Sequence, residues 1–339
     1  MRYLRKLIEP SELKEQFCLS KEMLHGKQLR DSEIVNILKG ISKKKLLIIG
    51  PCSADNEKAV LEYVHRLFRV QEKVKEKFLI IPRIFTAKPR TRGCGYMGLL
   101  HQPDINEHQD IVKGIRSVRK IHLNVIKETG LSTADELLYP DIYEYLSDLI
   151  SYCTIGARSV ENQEHRLVAS GIEVPVGLKN PMSGDLSVML NAIKASQMPH
   201  LMFYKGWEVA TDGNPLAHAV LRGSSLNGKI EQNCSYDNIL NLYDKYVDKE
   251  YMNPAVVIDA SHSNCFKIYS KQIEVCNNIV NFCKSNEKIN VLVKGIMVES
   301  YLEEGNQSIE NWQYGKSITD PCLGWKDTEN LILTMAEKL

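Results

Sequence analysis

Short apolar runs rich in β-branched residues recur eight times along the chain, and stretches with helical spacing separate them. The apolar runs lie at 46–49, 79–84, 124–127, 154–157, 174–178, 201–204, 255–258 and 291–297. Helical spacing covers 58–72, 109–121, 141–151, 163–170, 187–195, 236–249 and 270–284, with a closing helix at 326–339. Because alternating strands and helices favour a parallel sheet, eight such units predict an α/β fold, a (β/α)8 TIM barrel over residues 45–339.

Residues 1–44 lie outside this alternation and form a predicted N-terminal extension. Helical patterning is present there only at 11–22 and 32–38. Two roles suit such a segment: a helix that plugs the bottom of the barrel, or an arm used for oligomer contact or regulation. The residue pattern favours neither.

The composition excludes several classes of protein. The 339 residues are 43% hydrophobic, and 43 basic residues nearly balance 42 acidic ones. There is no basic stripe with interleaved aromatics, no apolar run near the roughly 20 residues of a membrane span, and no secretory signal pattern. Nine cysteines without a CxxC pair indicate reduced thiols. These features predict a cytoplasmic protein with neither a nucleic-acid nor a membrane partner.

Four potential metal ligands are spread along the chain at or after predicted strand ends. They are Cys52 in GPCS, His262 in ASH, Glu299 in VES and Asp320 in TDP. Since the strands of a barrel end on one face, ligands this far apart can converge on one ion. A thiolate, an imidazole and two carboxylates suit a divalent transition metal such as Mn, Fe, Co or Zn better than Mg. Taken singly, a histidine or glutamate at a strand end is equally compatible with a structural role.

Basic residues follow the same strand ends. They are Arg83, Lys88, Arg90 and Arg92 after the second predicted strand, and Arg158, Lys179, Lys205 and Arg222 after later strands. Cations gathered on one face repel one another unless an anion lies between them. The pattern therefore predicts an anionic substrate that carries phosphate or carboxylate groups.

A series of ordered motifs carries a family resemblance. They are GPCS at 50–53, KPRT at 88–91, GAR at 156–158, PVGLKN at 175–180, LRG at 221–223, IDASH at 258–262, VES at 298–300, EGNQS at 304–308 and YGKSITDPCLGW at 314–325. From about residue 45 onward the chain resembles the type I 3-deoxy-D-arabino-heptulosonate 7-phosphate (DAHP) synthases of the microbial aromatic pathway. The resemblance implies a transferase that condenses phosphoenolpyruvate with erythrose 4-phosphate, the first step of the shikimate pathway to chorismate.

The resemblance also implies a role for each matching residue. The family's divalent-metal ligands match Cys52, His262, Glu299 and Asp320. The phosphoenolpyruvate site matches Arg83, Lys88, Glu136, Gly156, Ala157, Arg158, Lys179, Arg222 and His262, with Arg158 and Arg222 on the phosphate. The erythrose 4-phosphate site matches Lys88, Pro89, Arg90, Thr91 and Asp259. The expected catalytic residues are Lys88, as proton donor, together with His262 and Cys52.

Three departures from the family pattern concern loops and regulation. The family commonly has Lys-Asn-Gly-Thr-Asp-Gly where this chain has Pro181 after Lys179-Asn180, which changes the shape of that loop. Segment 202–214 is shorter than in well-known feedback-inhibited members, and Glu173 stands where a small residue is usual. Because these segments form or adjoin the effector site, feedback by phenylalanine, tyrosine or tryptophan stays open.

Two other functions are compatible with parts of the pattern. An octulosonate 8-phosphate synthase has the same barrel and phosphoenolpyruvate site, but typically reads Lys-Ala-Asn-Arg-Ser where this chain has KPRT, so Pro89 and Thr91 argue against it. A catalytically silent phosphate- or metal-sensing barrel is disfavoured by the complete set of ligands and cations. Members of the resembled family are dimers or tetramers, which predicts a homo-oligomer.

Overall fold

Eight parallel strands form the centre of the molecule. The structure is a computed structural model that describes residues 1–90, 93–247 and 250–339. The central strands are β1 (Lys45–Gly50), β2 (Phe78–Pro82), β3 (Thr133–Glu136), β4 (Ile150–Ile155), β5 (Val176–Lys179), β6 (His218–Leu221), β7 (Val256–Asp259) and β8 (Val293–Glu299). Their order in the sheet is β2-β1-β8-β7-β6-β5-β4-β3.

The two ends of this sheet meet at β2 and β3. In the part of the chain that the structure describes, these strands pair through a single parallel bridge between Arg83 and Ala134. The amide of Ile84 donates to the carbonyl of Ala134 at 2.8 Å beside it. The sheet therefore returns on itself, and the predicted (β/α)8 barrel is confirmed.

Two of the eight predicted strands are wrong, and two barrel strands were not predicted. Residues 124–127 lie within a helix, and 201–204 belong to an antiparallel hairpin outside the barrel. The third and sixth barrel strands are instead Thr133–Glu136 and His218–Leu221. Each is four residues long. The third contains Thr133, Asp135 and Glu136, and the buried His218 begins the sixth, so neither has the continuous apolar character by which buried parallel strands are recognised.

Helices surround the barrel, most of them around its outside. They are α1 (Pro10–Gln16), α2 (Lys21–Leu38), α3 (Glu57–Val74), α4 (Ile111–Thr129), α5 (Ile142–Leu146), α6 (Gln163–Ser170), α7 (Leu186–Gln197), α8 (Tyr236–Tyr246), α9 (Gln272–Ser285), α10 (Glu287–Leu292) and α11 (Trp325–Lys338). Short 3₁₀ turns span Tyr269–Lys271 and Ile309–Asn311. No described helix is both long and apolar enough to cross a lipid bilayer.

Sequence signals account for where α4 begins and ends. The carboxylate of Asp110 accepts from the amide of Val112 at its start, and Gly130 ends it with φ 68°. Because the apolar residues of 124–127 continue the helical period of α4, they belong to this helix. The predicted helix over 141–151 is reduced to α5 because Ile150 already begins β4.

Short pairs of strands also lie outside the eight-stranded sheet. An outer hairpin joins His200–Tyr204 to Trp207–Thr211. A second hairpin pairs Ser224–Leu226 with Lys229–Glu231 in the segment after β6, and Glu303–Asn306 pairs with Lys316–Ser317 near the end of β8.

The N-terminal extension packs on the barrel. Helix α2 buries Ile34, Ile37 and Leu38 in the cluster that fills the barrel interior. The same cluster contains Leu46 and Leu79, near the starts of β1 and β2. Helix α2 therefore covers the amino ends of the strands and leaves their carboxyl ends free, where barrel enzymes have their active sites.

Candidate active site

A cavity of about 240 Å³ lies at the carboxyl ends of the barrel strands. Most of the residues selected from the sequence line it. They are Lys88, Pro89, Arg90, Glu136, Gly156, Ala157, Arg158, Lys179, Arg222, His262, Glu299 and Asp320. Chain segments from seven different βα units therefore meet around one small space, as convergence at strand ends predicts.

Three of the four predicted metal ligands form a compact cluster. Donor atoms of Cys52, Glu299 and Asp320 all lie within 4.8 Å of one another. The Cys52 Sγ is 3.5 Å from Oδ2 of Asp320. The fourth, His262, places its Nε2 3.9 Å from Oε1 of Glu299. One thiol, one imidazole and two carboxylates thus surround a space suited to a transition metal.

The ring of His262 is oriented by its neighbours. Its Nδ1 is 3.1 Å from Oδ2 of Asp259 and 2.7 Å from Oγ of Ser261, which in turn donates to Asp259 Oδ1 at 2.6 Å. The backbone of His262 has φ 55°, a left-handed conformation that is costly for a residue other than glycine. Since Nδ1 is engaged, Nε2 is the nitrogen available to an ion, as is usual for histidine ligands.

Lys88 brings a positive charge against Cys52. Its Nζ is 3.0 Å from the Cys52 Sγ. Burial raises the pKa of the Cys52 thiol to about 11. Burial alone would lower the pKa of Lys88, but Cys52, Glu299 and Glu136 hold that pKa above its usual value. These neighbours favour the protonated form of Lys88, which is the form that can donate a proton.

Arg83 lies behind the cluster rather than on the cavity wall. Its side chain is fully buried, with Nη2 3.0 Å from Oε1 of Glu299 and Nη1 2.6 Å from the carbonyl of Pro51. The guanidinium also stacks on the Phe85 ring, 3.9 Å from its centroid. Arg83 therefore orients Glu299 and compensates its buried charge, and its place in the phosphoenolpyruvate site stays a prediction.

Two guanidinium groups on the cavity wall are available to an anion. Within the described ranges, neither Arg158 nor Arg222 has a carboxylate within 4.0 Å. Arg222 is buried, with Nη1 3.3 Å from the Sδ of Met182, and burial lowers its pKa. The charge of this buried guanidinium is offset only in part by the more distant Asp259, Glu299 and Asp320, and a bound phosphate would compensate it directly.

Lys179 differs from these arginines because it has acidic partners. Its Nζ is 3.2 Å from Oδ2 of Asp259 and 3.9 Å from Oε2 of Glu136. Burial alone would raise the pKa of Asp259, but His262 and Lys179 hold it well below its usual value. Asp259 is fully buried beneath these cations and is absent from the cavity lining among the described residues. Its expected contact with erythrose 4-phosphate stays a prediction.

The KPRT motif forms one side of the cavity. Pro89 and Arg90 line it, and Nε of Arg90 donates to the carbonyl of Tyr96 at 2.7 Å. The predictions for Thr91 and Arg92 fall outside the described residues. Lys205 was expected at the same face and is not there, because it belongs to the outer hairpin, 2.9 Å from Glu144 Oε2.

Several cavity residues were not selected from the sequence. They are Ser159, Met182, Ser261, Cys265, Lys267, Tyr269, Gln272, Thr319 and Pro321. Gln272 makes two hydrogen bonds with the backbone of Glu299. Its Nε2 donates to the Glu299 carbonyl at 3.0 Å, and its Oε1 accepts from the Glu299 amide at 2.8 Å. Its place in the segment that follows IDASH was the only signal in the sequence.

Comparison with known proteins identifies the family of this barrel. A model described as the DAHP synthetase I family matches residues 16–333. The chain belongs to the DAHP synthetase I family. The resemblance inferred from the motifs is thereby confirmed, and the chain's activity is that of a DAHP synthase, a transferase of the shikimate pathway. Both alternative functions considered from the sequence are set aside by this assignment.

Relatives of the family match almost the whole chain. The "Phospho-2-dehydro-3-deoxyheptonate aldolase, Phe-sensitive" of Escherichia coli (strain K12) is 37% identical over 98% of this chain and 94% of its own length. The protein of the same activity described as Trp-sensitive, from Buchnera aphidicola (Schizaphis graminum, strain Sg), is 35% identical over the same shares. The solved structure of the Francisella tularensis SCHU S4 enzyme has a TM-score of 0.91 at 32% identity, covering 100% of this chain and 98% of the other.

Proposed function

We propose that the cavity binds phosphoenolpyruvate and erythrose 4-phosphate side by side and condenses them to DAHP and phosphate. The observation that carries this proposal is the pairing of a metal-ligand cluster with two guanidinium groups that lack a carboxylate partner in the described chain. Such a space suits a phosphorylated acid and an aldehyde that must be polarised.

Phosphoenolpyruvate binds on the side formed by β4, β5 and β6. Arg158 and Arg222 hold its phosphate, and Lys179 meets its carboxylate. The Gly156-Ala157 backbone lies alongside. Residue 156 has to be small there, because a Cβ on it would come 2.8 Å from Oε1 of Glu136. Arg83 acts on this substrate indirectly, through the orientation of Glu299.

Cys52, His262, Glu299 and Asp320 would hold one divalent transition metal, Mn, Fe, Co or Zn. The chemistry of the donors and the engaged Nδ1 of His262 fit this group. When bound, such an ion acts as a Lewis acid on the aldehyde oxygen. Lys88, Pro89 and Arg90, with Thr91, would receive erythrose 4-phosphate from the opposite side.

The proposed reaction begins with attack of the phosphoenolpyruvate C3 on C1 of the aldehyde. The electron pair of the C2=C3 π bond forms the C3–C1 bond as the carbonyl π bond breaks, which leaves C2 cationic, and the ammonium of Lys88 donates a proton to the developing alkoxide. Water then adds to the cationic C2 and gives up a proton. The bond between C2 and the phosphate oxygen breaks as the new C2 hydroxyl loses its proton, which releases phosphate and leaves the ketone of the seven-carbon acid.

A phosphate-release assay tests this function. Purified protein is supplied with phosphoenolpyruvate and either erythrose 4-phosphate or arabinose 5-phosphate, with and without a chelator. We expect release with erythrose 4-phosphate, its loss on chelation, and its return when metal is added back. Release with arabinose 5-phosphate alone would reject the proposed substrate, and release that withstands exhaustive chelation would reject the metal.

We also propose that the barrel at 45–339, with its extension at 1–44, works as a homo-oligomer, a dimer or a tetramer. Exposed apolar side chains on the outer hairpin, namely Leu201, Phe203 and Trp207, support self-association. Light scattering coupled to size-exclusion chromatography should give a mass that is two or four times 38.6 kDa. A monomeric mass at micromolar concentration would contradict the proposal.

A further inference from the structure

A buried carboxylate and imidazole lie next to the active site without lining its cavity. His122 on α4 and Asp135 on β3 are at most 2% exposed, and the His122 Nε2 is 3.2 Å from Asp135 Oδ2. The other ring nitrogen, Nδ1, is 2.9 Å from Oγ1 of Thr133. The proposed reaction uses neither group, so their burial needs a different explanation.

Asp135 is the centre of a hydrogen-bond network that crosses from β3 to the segment after β2. Its Oδ1 accepts from the Thr86 amide at 3.0 Å, and its Oδ2 accepts from the Thr86 hydroxyl at 2.6 Å. The same Oδ1 accepts from the amide of Glu136, the next residue, at 2.7 Å. One carboxylate therefore binds Thr86 at two points while it holds the backbone at the cavity residue Glu136.

Thr86 is the residue at which both ends of the substrate loop meet. We use "substrate loop" for residues 86–100, apart from the two that the structure leaves undescribed. The Thr86 carbonyl accepts from the Leu100 amide at 3.0 Å, and a Cβ on Gly98 would come 2.4 Å from that carbonyl oxygen. Two residues further along, the Lys88 amide donates to the carbonyl of Met97 at 3.0 Å.

The network fixes the chain two residues before the proposed proton donor. Lys88 lies two residues beyond Thr86, and its Nζ is within 3.0 Å of Cys52. Hydrogen bonds to a buried carboxylate are stronger than those between neutral groups, because the interior screens charge weakly. A displacement of about 1 Å of a reacting group is enough to lower turnover on the order of 100-fold. A carboxylate that fixes the base of the loop can therefore control catalysis without touching a substrate.

We propose that Asp135, held by His122, is a positioning residue that fixes the substrate loop through Thr86. It sets how Lys88 and Arg90 meet the aldehyde substrate. This inference rests on the proposed function, since it assigns that substrate to the loop. The two arginines proposed to hold the phosphate of phosphoenolpyruvate, Arg158 and Arg222, lie after β4 and β6 and outside the substrate loop, so loss of the Thr86 hydroxyl should affect its binding less than that of the aldehyde substrate.

The test removes the hydroxyl of Thr86 with little change in shape. We expect Thr86→Val to raise the KM for erythrose 4-phosphate about tenfold and to lower kcat, while the Kd for phosphoenolpyruvate from isothermal titration and the bound metal per chain change less than twofold. Thr86→Ser keeps the hydroxyl and should restore both kinetic constants. Thr154→Val is the matched control, because the fully buried Thr154 hydroxyl has no hydrogen-bond partner in the described part of the chain.

Asp135→Asn provides a second measurement, since the amide oxygen can still accept from the Thr86 backbone while the charge is lost. Its effect should lie between those of wild type and Thr86→Val. The proposal is overturned if Thr86→Val keeps both constants within twofold of wild type, or if Thr86→Ser fails to restore them. It is also overturned if Thr86→Val weakens the two substrates equally. Absence of wild-type turnover with erythrose 4-phosphate would instead reject the proposed function.

Discussion

The Nζ of Lys88 lies 3.0 Å from the Sγ of Cys52, so the proposed proton donor and the proposed soft metal ligand are direct neighbours. A positive charge at this distance favours the thiolate that metal binding requires. The same charge faces the place where an alkoxide would develop. If both proposed roles hold, Lys88 would link metal binding to proton transfer.

Replacing Lys88 tests this double role. Lys88→Ala should lower kcat on the order of 100-fold or more, the usual contribution of a positioned acid, with only a modest loss of metal. Steady-state kinetics and metal analysis of the same samples provide the measurements. Lys205→Ala, which removes a cation from the outer hairpin, should leave kcat unchanged. Full activity of Lys88→Ala would remove this residue from the mechanism.

Arg222 should contribute more to phosphoenolpyruvate binding than Arg158, because Arg222 is buried and Arg158 is exposed to solvent. We expect Arg222→Ala to raise the KM for phosphoenolpyruvate roughly 10- to 100-fold, the effect of losing hydrogen bonds between charged groups. Arg158→Ala should have a smaller effect that shrinks as salt is added. Arg222→Lys should recover part of the loss, since lysine keeps the charge without the paired donors. Equal effects at the two positions would contradict this assignment.

Metal binding should depend on Cys52 and not on buried thiols in general. Cys52→Ser is expected to weaken divalent-metal binding at least about tenfold, because a hydroxyl is a much poorer ligand than a thiolate. Cys276→Ser is the matched control, since Cys276 is as fully buried but lies on α9, away from the cluster. Competition with a chromogenic chelator measures both affinities. Equal metal affinity in Cys52→Ser and wild type would exclude the thiol as a ligand.

His218 should make the fold sensitive to mild acid. It is fully buried, with Nε2 2.7 Å from the Tyr152 hydroxyl, and burial lowers its pKa from 6.5 to about 4. The unfolded chain therefore takes up a proton between pH 6.5 and 4 that the folded chain does not, so this histidine lowers stability as the pH falls through that window. The loss is on the order of 1.4 kcal/mol per pH unit and stops below about pH 4.

Urea unfolding at pH 7, 6 and 5 measures this contribution. His218→Gln should have a flatter dependence of the unfolding free energy on pH than wild type. His25→Gln, an exchange of an exposed histidine, should keep the wild-type slope. An unchanged slope in His218→Gln would show that another group titrates in this window.

Much of the barrel was predictable because most of its strands are continuous apolar runs. Strands β1 and β8 were located to within two residues at each end. Strand β3 was not found, since Thr133–Glu136 places hydroxyl and carboxyl groups where a buried strand normally has aliphatic ones. Its polar character follows from its partners, among them His122 and Thr86, which only the folded chain brings together.

The candidate site was predictable to the extent that its residues occupy motifs at strand ends. Cys52 and Glu299 meet because one follows β1 and the other ends β8 in the same barrel. The position of Arg83 behind Glu299 was not predictable, because it depends on the direction of one side chain in the interior. Lys205 was misplaced for a simpler reason, since its strand was assigned to the barrel when it belongs to the outer hairpin.

The join between β2 and β3 links closure of the barrel to the arrangement of the candidate site. Among the described residues, one bridge at Arg83 joins these strands. Arg83 also binds Glu299, and Asp135 binds the segment after β2 across the same join. Arg83 and Asp135 therefore take part both in closing the barrel and in arranging the candidate site. We expect a chain whose join between β2 and β3 is weakened to lose the arrangement of this site as well.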